Sequence, residues 1–143
     1  MIRCMKKLAP IAIALLAMMA FATAAIGSSN KTFTVKMTGG QEKPKGDPNG
    51  TGTAKITLED SKRKVCFSLT WHAITKPVAS HIHQGKRGTS GPIVVPLFAG
   101  TPKHNGCVHA PKALIEKIRR HPGNYYVNVH TVQFPAGAIR GQL

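Results

Sequence analysis

Three histidines hold most of the chemistry this sequence can offer. His81 and His83 stand in Ser80-His81-Ile82-His83-Gln84-Gly85, and His130 stands in Tyr126-Val127-Asn128-Val129-His130-Thr131. Both segments are short, apolar and β-branched or aromatic in character, and both read as strands. Side chains alternate along a strand, so His81 and His83 share a face with Ile82 opposite. By the same rule Tyr126, Asn128 and His130 share one face, and Val127 and Val129 the other. A His-x-His pair on one strand face is a bidentate fragment for copper or zinc. His130 completes a candidate set of three, with His72 as a more remote fourth. The same placement also suits a purely structural role, in which the imidazoles hydrogen-bond loop backbone and pin the glycine-rich segments. The sequence leaves both open.

Other reactive groups are sparse. The chain has five acids: Glu42, Asp47, Glu59, Asp60 and Glu116. Glu59 and Asp60 fall at a turn, where solvated charge is expected, and Glu116 falls on the surface of a short helix. Paired-carboxylate chemistry has little to work with. Ser80 and His81 are adjacent on a strand and point apart, so they make no triad. Glu42 sits in a long loop, where it suits a backbone-capping bond, a helper role beside the histidines, or a pairing with Arg140. Arg140 lies between Ile139 and Gly141 on the closing strand, and a structural salt bridge is expected for it, with an anion site as the other option.

The elements that must position these residues follow from periodicity. Phe33, Val35 and Met37 alternate with polar residues, as do Ala54, Ile56 and Leu58. Val65, Phe67, Leu69 and Trp71 make one apolar face, with Cys66, Ser68, Thr70 and His72 opposite. Residues 39–50 and 85–91 are glycine-rich loops. Pro92 to Phe98 reads as an edge strand flanked by prolines, and Ala99 to Asn105 as a loop. Pro111 suits the first turn of a helix, Leu114, Ile115 and Ile118 form its apolar stripe, and Pro122-Gly123 stops it. Roughly seven strands and one short helix predict an all-β, antiparallel, Greek-key-like β-sandwich in one domain.

The ends and the charge bear on location. Arg3, Lys6 and Lys7 precede an almost wholly apolar stretch from Leu8 to Ala22, followed by Ala22-Thr23-Ala24. This pattern predicts a secretory signal peptide over 1–24, cleaved after Ala24 or Ala25. The apolar run is short for a membrane span, so no retained transmembrane segment is expected. Cys4 lies before the apolar stretch and does not suit a lipoprotein anchor. The domain at 25–143 then holds two cysteines, Cys66 and Cys107, and an exported chain with two cysteines suggests one disulfide. Closing a loop of about 40 residues is worth roughly 2–4 kcal/mol. The full chain carries +15, and loss of Arg3, Lys6 and Lys7 leaves +12. A dispersed basic surface attracts anionic lipids or acidic polysaccharides of the envelope. Specific nucleic-acid binding is not expected, since no recognition motif is present and aromatic residues are few.

Three stretches together resemble the CHRD domain, the domain named for chordin and found also as single-domain secreted proteins in bacteria. They are Gly40-Gln41-Glu42-Lys43-Pro44; His81-Ile82-His83-Gln84-Gly85 with Gly91-Pro92-Ile93-Val94-Val95-Pro96-Leu97; and Tyr126 to Thr131 with Pro135 to Leu143. The resemblance runs from about Phe33 to Leu143 and marks Glu42, Gly85, Gly91, Pro92, Asn128, Arg140 and Gly141 as motif residues. Many members carry Glu before the Ile-Arg-Gly-Gln ending; Ala138 stands there in this chain, so a role for that acid does not carry over. The cysteine-rich modules through which chordin binds its ligands are absent, and growth-factor antagonism does not follow.

The resemblance implies an exported, periplasmic or secreted, non-enzymatic binding or structural module with no required cofactor and a sandwich similar in architecture to superoxide dismutases and immunoglobulin-like domains. The alternative is a copper- or zinc-binding protein built on His81, His83 and His130. Dismutase activity is not expected, because the bridging histidine and zinc carboxylate that it needs are missing.

Overall fold

The computed structural model describes residues 30–143; the expected leader at 1–24 lies outside the described residues. Eight strands form one continuous antiparallel sheet in the order β5-β4-β7-β8-β1-β2-β3-β6. They are β1 (Lys31–Thr38), β2 (Thr51–Glu59), β3 (Lys64–His72), β4 (Pro77–Gln84), β5 (Ile93–Ala99), β6 (Asn105–His109), β7 (Tyr125–Thr131) and β8 (Ile139–Gln142), with one helix, α1 (Lys112–Arg120), between β6 and β7. The sheet folds over on itself. β8 meets β1 through a single register pair, Thr38 with Arg140, and the end strands β5 and β6 touch, so the barrel is nearly closed. The result is a sandwich of two halves, β5-β4-β7-β8 and β1-β2-β3-β6, as the sequence predicts. Among the described residues, no helix is long and apolar enough to cross a membrane.

The core is built from the apolar faces already legible in the sequence. Ala54, Ile56 and Leu58 of β2 meet Leu69, Phe67 and Val65 of β3 in register. Ile82, Val127, Val129 and Ile139 supply the other half, and all of these residues are buried. Helix α1 lays Ile115 and Ile118 on this core. A helix of this length is marginal alone, so its stability comes from that packing. Pro111 occupies its N-cap position, one residue ahead of the first helical turn.

Two features differ from expectation. The stretch after Ala99 is not all loop, because Asn105–His109 forms β6 and raises the strand count to eight. Its sequence lacks a clear alternating apolar pattern, and its state is set by tertiary pairing with β3. Cys66 and Cys107 sit directly opposite one another in that pairing and form the disulfide. Asp60 also departs from the solvated state expected at a turn. The helix folds back over the β2–β3 turn, buries Asp60 and brings the Arg119 guanidinium to 2.8 Å from its carboxylate. Asp60→Asn is therefore expected to destabilise the protein by about 1–2 kcal/mol, between the values for exposed and buried pairs. Urea unfolding would show it as a lower midpoint at unchanged slope, and an unchanged midpoint would refute it.

Candidate metal centre

The centre lies on the face of β4, β7 and β8 that points away from the core. Antiparallel register sets His81 opposite Asn128, His83 opposite Tyr126 and Ala79 opposite His130. On the other side of β7, Asn128 faces Arg140 and Tyr126 faces Gln142. Period two therefore places His81, His83, Tyr126, Asn128, His130, Arg140 and Gln142 on one face, and His130 reaches His81 as a diagonal neighbour. An outer face is ordinarily wet, yet β7 is buried along its whole length. Three loops roof it. Residues 85–91 reach His83 through the Gly91 carbonyl, the loop before β8 reaches His130 through the Pro135 carbonyl, and residues 39–50 bring in Glu42.

Those carbonyls fix the state of two rings. A carbonyl only accepts, so His83 Nδ1, 2.9 Å from Gly91 O, must donate. His130 Nδ1, 3.0 Å from Pro135 O, must donate as well. In the neutral rings each Nε2 is then a lone pair. His83 Nε2 is buried and meets no partner at hydrogen-bond geometry, although the Asn128 side chain is near enough to act on the ring, and His83 as a whole is 8% exposed. His130 Nε2 lies 3.1 Å from His81 Nδ1, which donates to it in the metal-free state. Burial pushes the pKa of His81 down to about 4, helped by the neighbouring His130 and His83, and burial also lowers the other two. All three rings are thus neutral at pH 7, the form that ligates metal.

One donor atom from each ring falls within 4.8 Å of the others. Two bonds of the usual metal–imidazole length, about 2.0–2.1 Å, span at most roughly 4 Å, so a side-chain shift of somewhat under 1 Å closes the set. The residues fit a metal on chemical grounds: a borderline-soft, all-imidazole donor set, a buried orphan lone pair, and backbone carbonyls that orient two of the rings as outer partners do in metal sites. His72, at the end of β3, is exposed and lies outside the cluster.

Around the rings lies a layer whose arrangement the sequence leaves open between several roles. Tyr126 stacks on His83, with centroids 4.7 Å apart and planes 7° from parallel. The Arg140 guanidinium lies over the Tyr126 ring, 3.3 Å from its centroid. Arg140 is 1% exposed and donates to the carbonyls of Thr89 at 2.7 Å and Lys86 at 3.0 Å. The salt bridge expected for it is replaced by these carbonyls, because the 85–91 loop folds over β8; Glu42 acts on it only as a nearby charge. Glu42 itself is 2% exposed, and burial raises its pKa to about 7, against the lowering effects of an Asn128 hydrogen bond and Arg140.

Asn128 joins Glu42 to His130. Its amide oxygen is placed 2.9 Å from His130 Nε2. Amide O and N exchange by a half-turn: as placed, the nitrogen faces Glu42 and lowers its pKa, and after the half-turn the nitrogen would share the His130 Nε2 lone pair with His81 while the oxygen accepts from a protonated Glu42. The Asn128–Arg140 adjacency follows from the β7–β8 register, whereas Glu42 lies in a loop after β1 and no strand register reaches it.

No curated protein and no solved structure matches the chain. The family comparison does: residues 33–143, which contain every strand residue from Phe33 onward, the three histidines and the loops that roof them, match the CHRD domain, a family of non-catalytic binding and structural modules, and the chain belongs to that family.

Proposed function

We propose that this domain is an exported, non-enzymatic module of the periplasm or extracellular space that binds one copper or zinc ion through His81, His83 and His130. The observation that carries the proposal is the buried, partnerless Nε2 of His83, which its own Nδ1–H bond to Gly91 aims as a lone pair among two further neutral imidazoles. A buried polar atom without a partner is costly, and a cation offsets that cost. Copper is the stronger candidate, since divalent affinities at nitrogen sites peak at copper. Bound there, the metal would supply a Lewis-acidic centre; the chain's own residues hold the rings neutral, orient them and exclude most water. Among the described residues the cluster contains no carboxylate, which favours binding over dismutase chemistry.

Calorimetric titration with copper and with zinc tests this. One equivalent should bind, and the heat should vanish in a His81→Ala/His83→Ala variant. Metal removal should also lower stability: free metal at a hundredfold over Kd adds about 2.7 kcal/mol, which a chelator should abolish as a drop in melting temperature. Absence of heat, or heat that survives the double substitution, would sink the proposal. The basic surface supports a second contact, with anionic lipids or polysaccharides of the envelope, narrowed below.

A further inference from the structure

Beside the histidines, on the same outer face, lies a cavity of about 260 Å³ lined by Gly40, Lys43, Arg87, Gly88, Arg140 and Gln142. Three cations line it and no carboxylate does. Neither Lys43 nor Arg87 forms a salt bridge among the described residues. The segments that carry these cations are tied to one another. Arg87 Nη1 donates to Gln41 Oε1 at 3.2 Å, and Gln41 is in turn tied to the Lys36 carbonyl at 3.1 Å. Ser90 Oγ donates to the Lys43 carbonyl at 2.7 Å, joining the loop of Lys43 to the loop of Arg87. Arg140 is fixed by the carbonyls of Thr89 and Lys86. Gly40 and Gly88 line the cavity without a side chain. Burial depresses the Arg140 pKa, Tyr126 and Glu42 act against that, and the nearby charge of Arg87 adds to it.

We propose that this cavity binds a phosphomonoester group, either free in solution or as the headgroup of an anionic phospholipid. Converging cations are most fully matched by a group with several charged oxygens. A phosphomonoester carries about −1.5 to −2 near pH 7 on three acceptor oxygens, and arginine suits it geometrically. A uronate offers a single negative charge. A merely basic surface would not require Lys43 and Arg87 in particular.

The test uses the purified protein with a chelator present, so its outcome is independent of metal binding. Inorganic phosphate is titrated at fixed ionic strength, and co-sedimentation is measured with phosphatidylcholine vesicles with and without phosphatidic acid. Lys43→Gln/Arg87→Gln should weaken binding by about tenfold or more. Lys55→Gln/Lys76→Gln, which removes two exposed cations elsewhere, should change it by less than about twofold. Phosphate binding that depends on Lys43 and Arg87 supports a soluble ligand, and vesicle binding with that dependence but no response to free phosphate supports the lipid headgroup. Equal weakening by the two variants, tighter binding of an oligogalacturonate than of phosphate, or no binding in either arm overturns the proposal.

Discussion

Replacing Gly91 with alanine is expected to lower stability by about 3 kcal/mol or more and to weaken copper binding by about 10–100-fold. A Cβ at position 91 would overlap the carbonyl oxygen of Gln84, with the carbonyl carbon 2.8 Å away. Both atoms are backbone, at the end of β4, so no side chain can swing aside. The segment that must move is the one whose carbonyl accepts from His83 Nδ1. Once that bond is lost, the His83 ring is free to change tautomer and rotate, and its Nε2 lone pair is no longer aimed at the other rings. The two effects are therefore coupled, and their order matters. His83→Ala, which removes a ligand outright, should cost more affinity than Gly91→Ala but less stability. Gly123→Ala serves as the control, since a Cβ there meets nothing within 4 Å, and should leave both quantities near their starting values. Urea midpoints and metal titration on the same preparations decide. A Gly91→Ala protein with native stability would show that the loop does not hold the ring. One that is destabilised yet binds copper normally would show that ring orientation does not matter to the site.

What the sequence revealed and what it concealed divide along a physical line. Alternation fixed which face His81, His83 and His130 occupy, and the apolar faces of β2, β3 and β7 located the core, because burial against a sheet imposes period two on the chain. The same logic cannot show that an outer face is buried by loops. Nothing in the spacing of residues 85–91 announces that the Gly91 carbonyl will reach His83, or in the segment before β8 that Pro135 will reach His130. These contacts are made by backbone, which has no sequence code of its own. β6 stayed hidden for a related reason: its pairing with β3 and the Cys66–Cys107 crosslink hold it as a strand without an alternating apolar face. Asp60 and Arg140 depart from expectation in opposite directions. The acid expected in water is covered by the returning helix, and the arginine expected to find an acid is satisfied by carbonyls.

Glu42→Gln is expected to stabilise the metal-free protein by up to about 3 kcal/mol at pH 8 and by almost nothing at pH 4.5. The Glu42 carboxyl is buried, and that burial raises its pKa from 4.5 to about 7. A folded-state value above the unfolded one means that the native protein binds more protons than the unfolded chain between those limits. The favourable contribution of the neutral acid is complete below about pH 4.5 and is lost as pH climbs through 7, at about 1.4 kcal/mol per unit. The histidines act in the opposite sense. His81 falls from 6.5 to about 4, and His83 and His130 shift downward as well. Their neutral forms stabilise the fold above about pH 6.5, and that stability is lost as pH falls toward 4. Between about pH 4.5 and 6.5 the two effects therefore oppose one another, and above about pH 7 neither changes stability further. Glutamine keeps the shape of the protonated acid and cannot ionise, so the variant should show the histidine rise unopposed and gain on the native protein between about pH 4.5 and 7. Urea unfolding with a chelator from pH 4.5 to 8 measures both curves. If they run parallel, ionisation of Glu42 costs the fold nothing, and the Glu42–Asn128–His130 connection does not depend on a neutral carboxyl. If they separate progressively between about pH 4.5 and 7 and run parallel above that, Glu42 holds its proton in the native state up to the pH where the imidazoles are ready to take a metal.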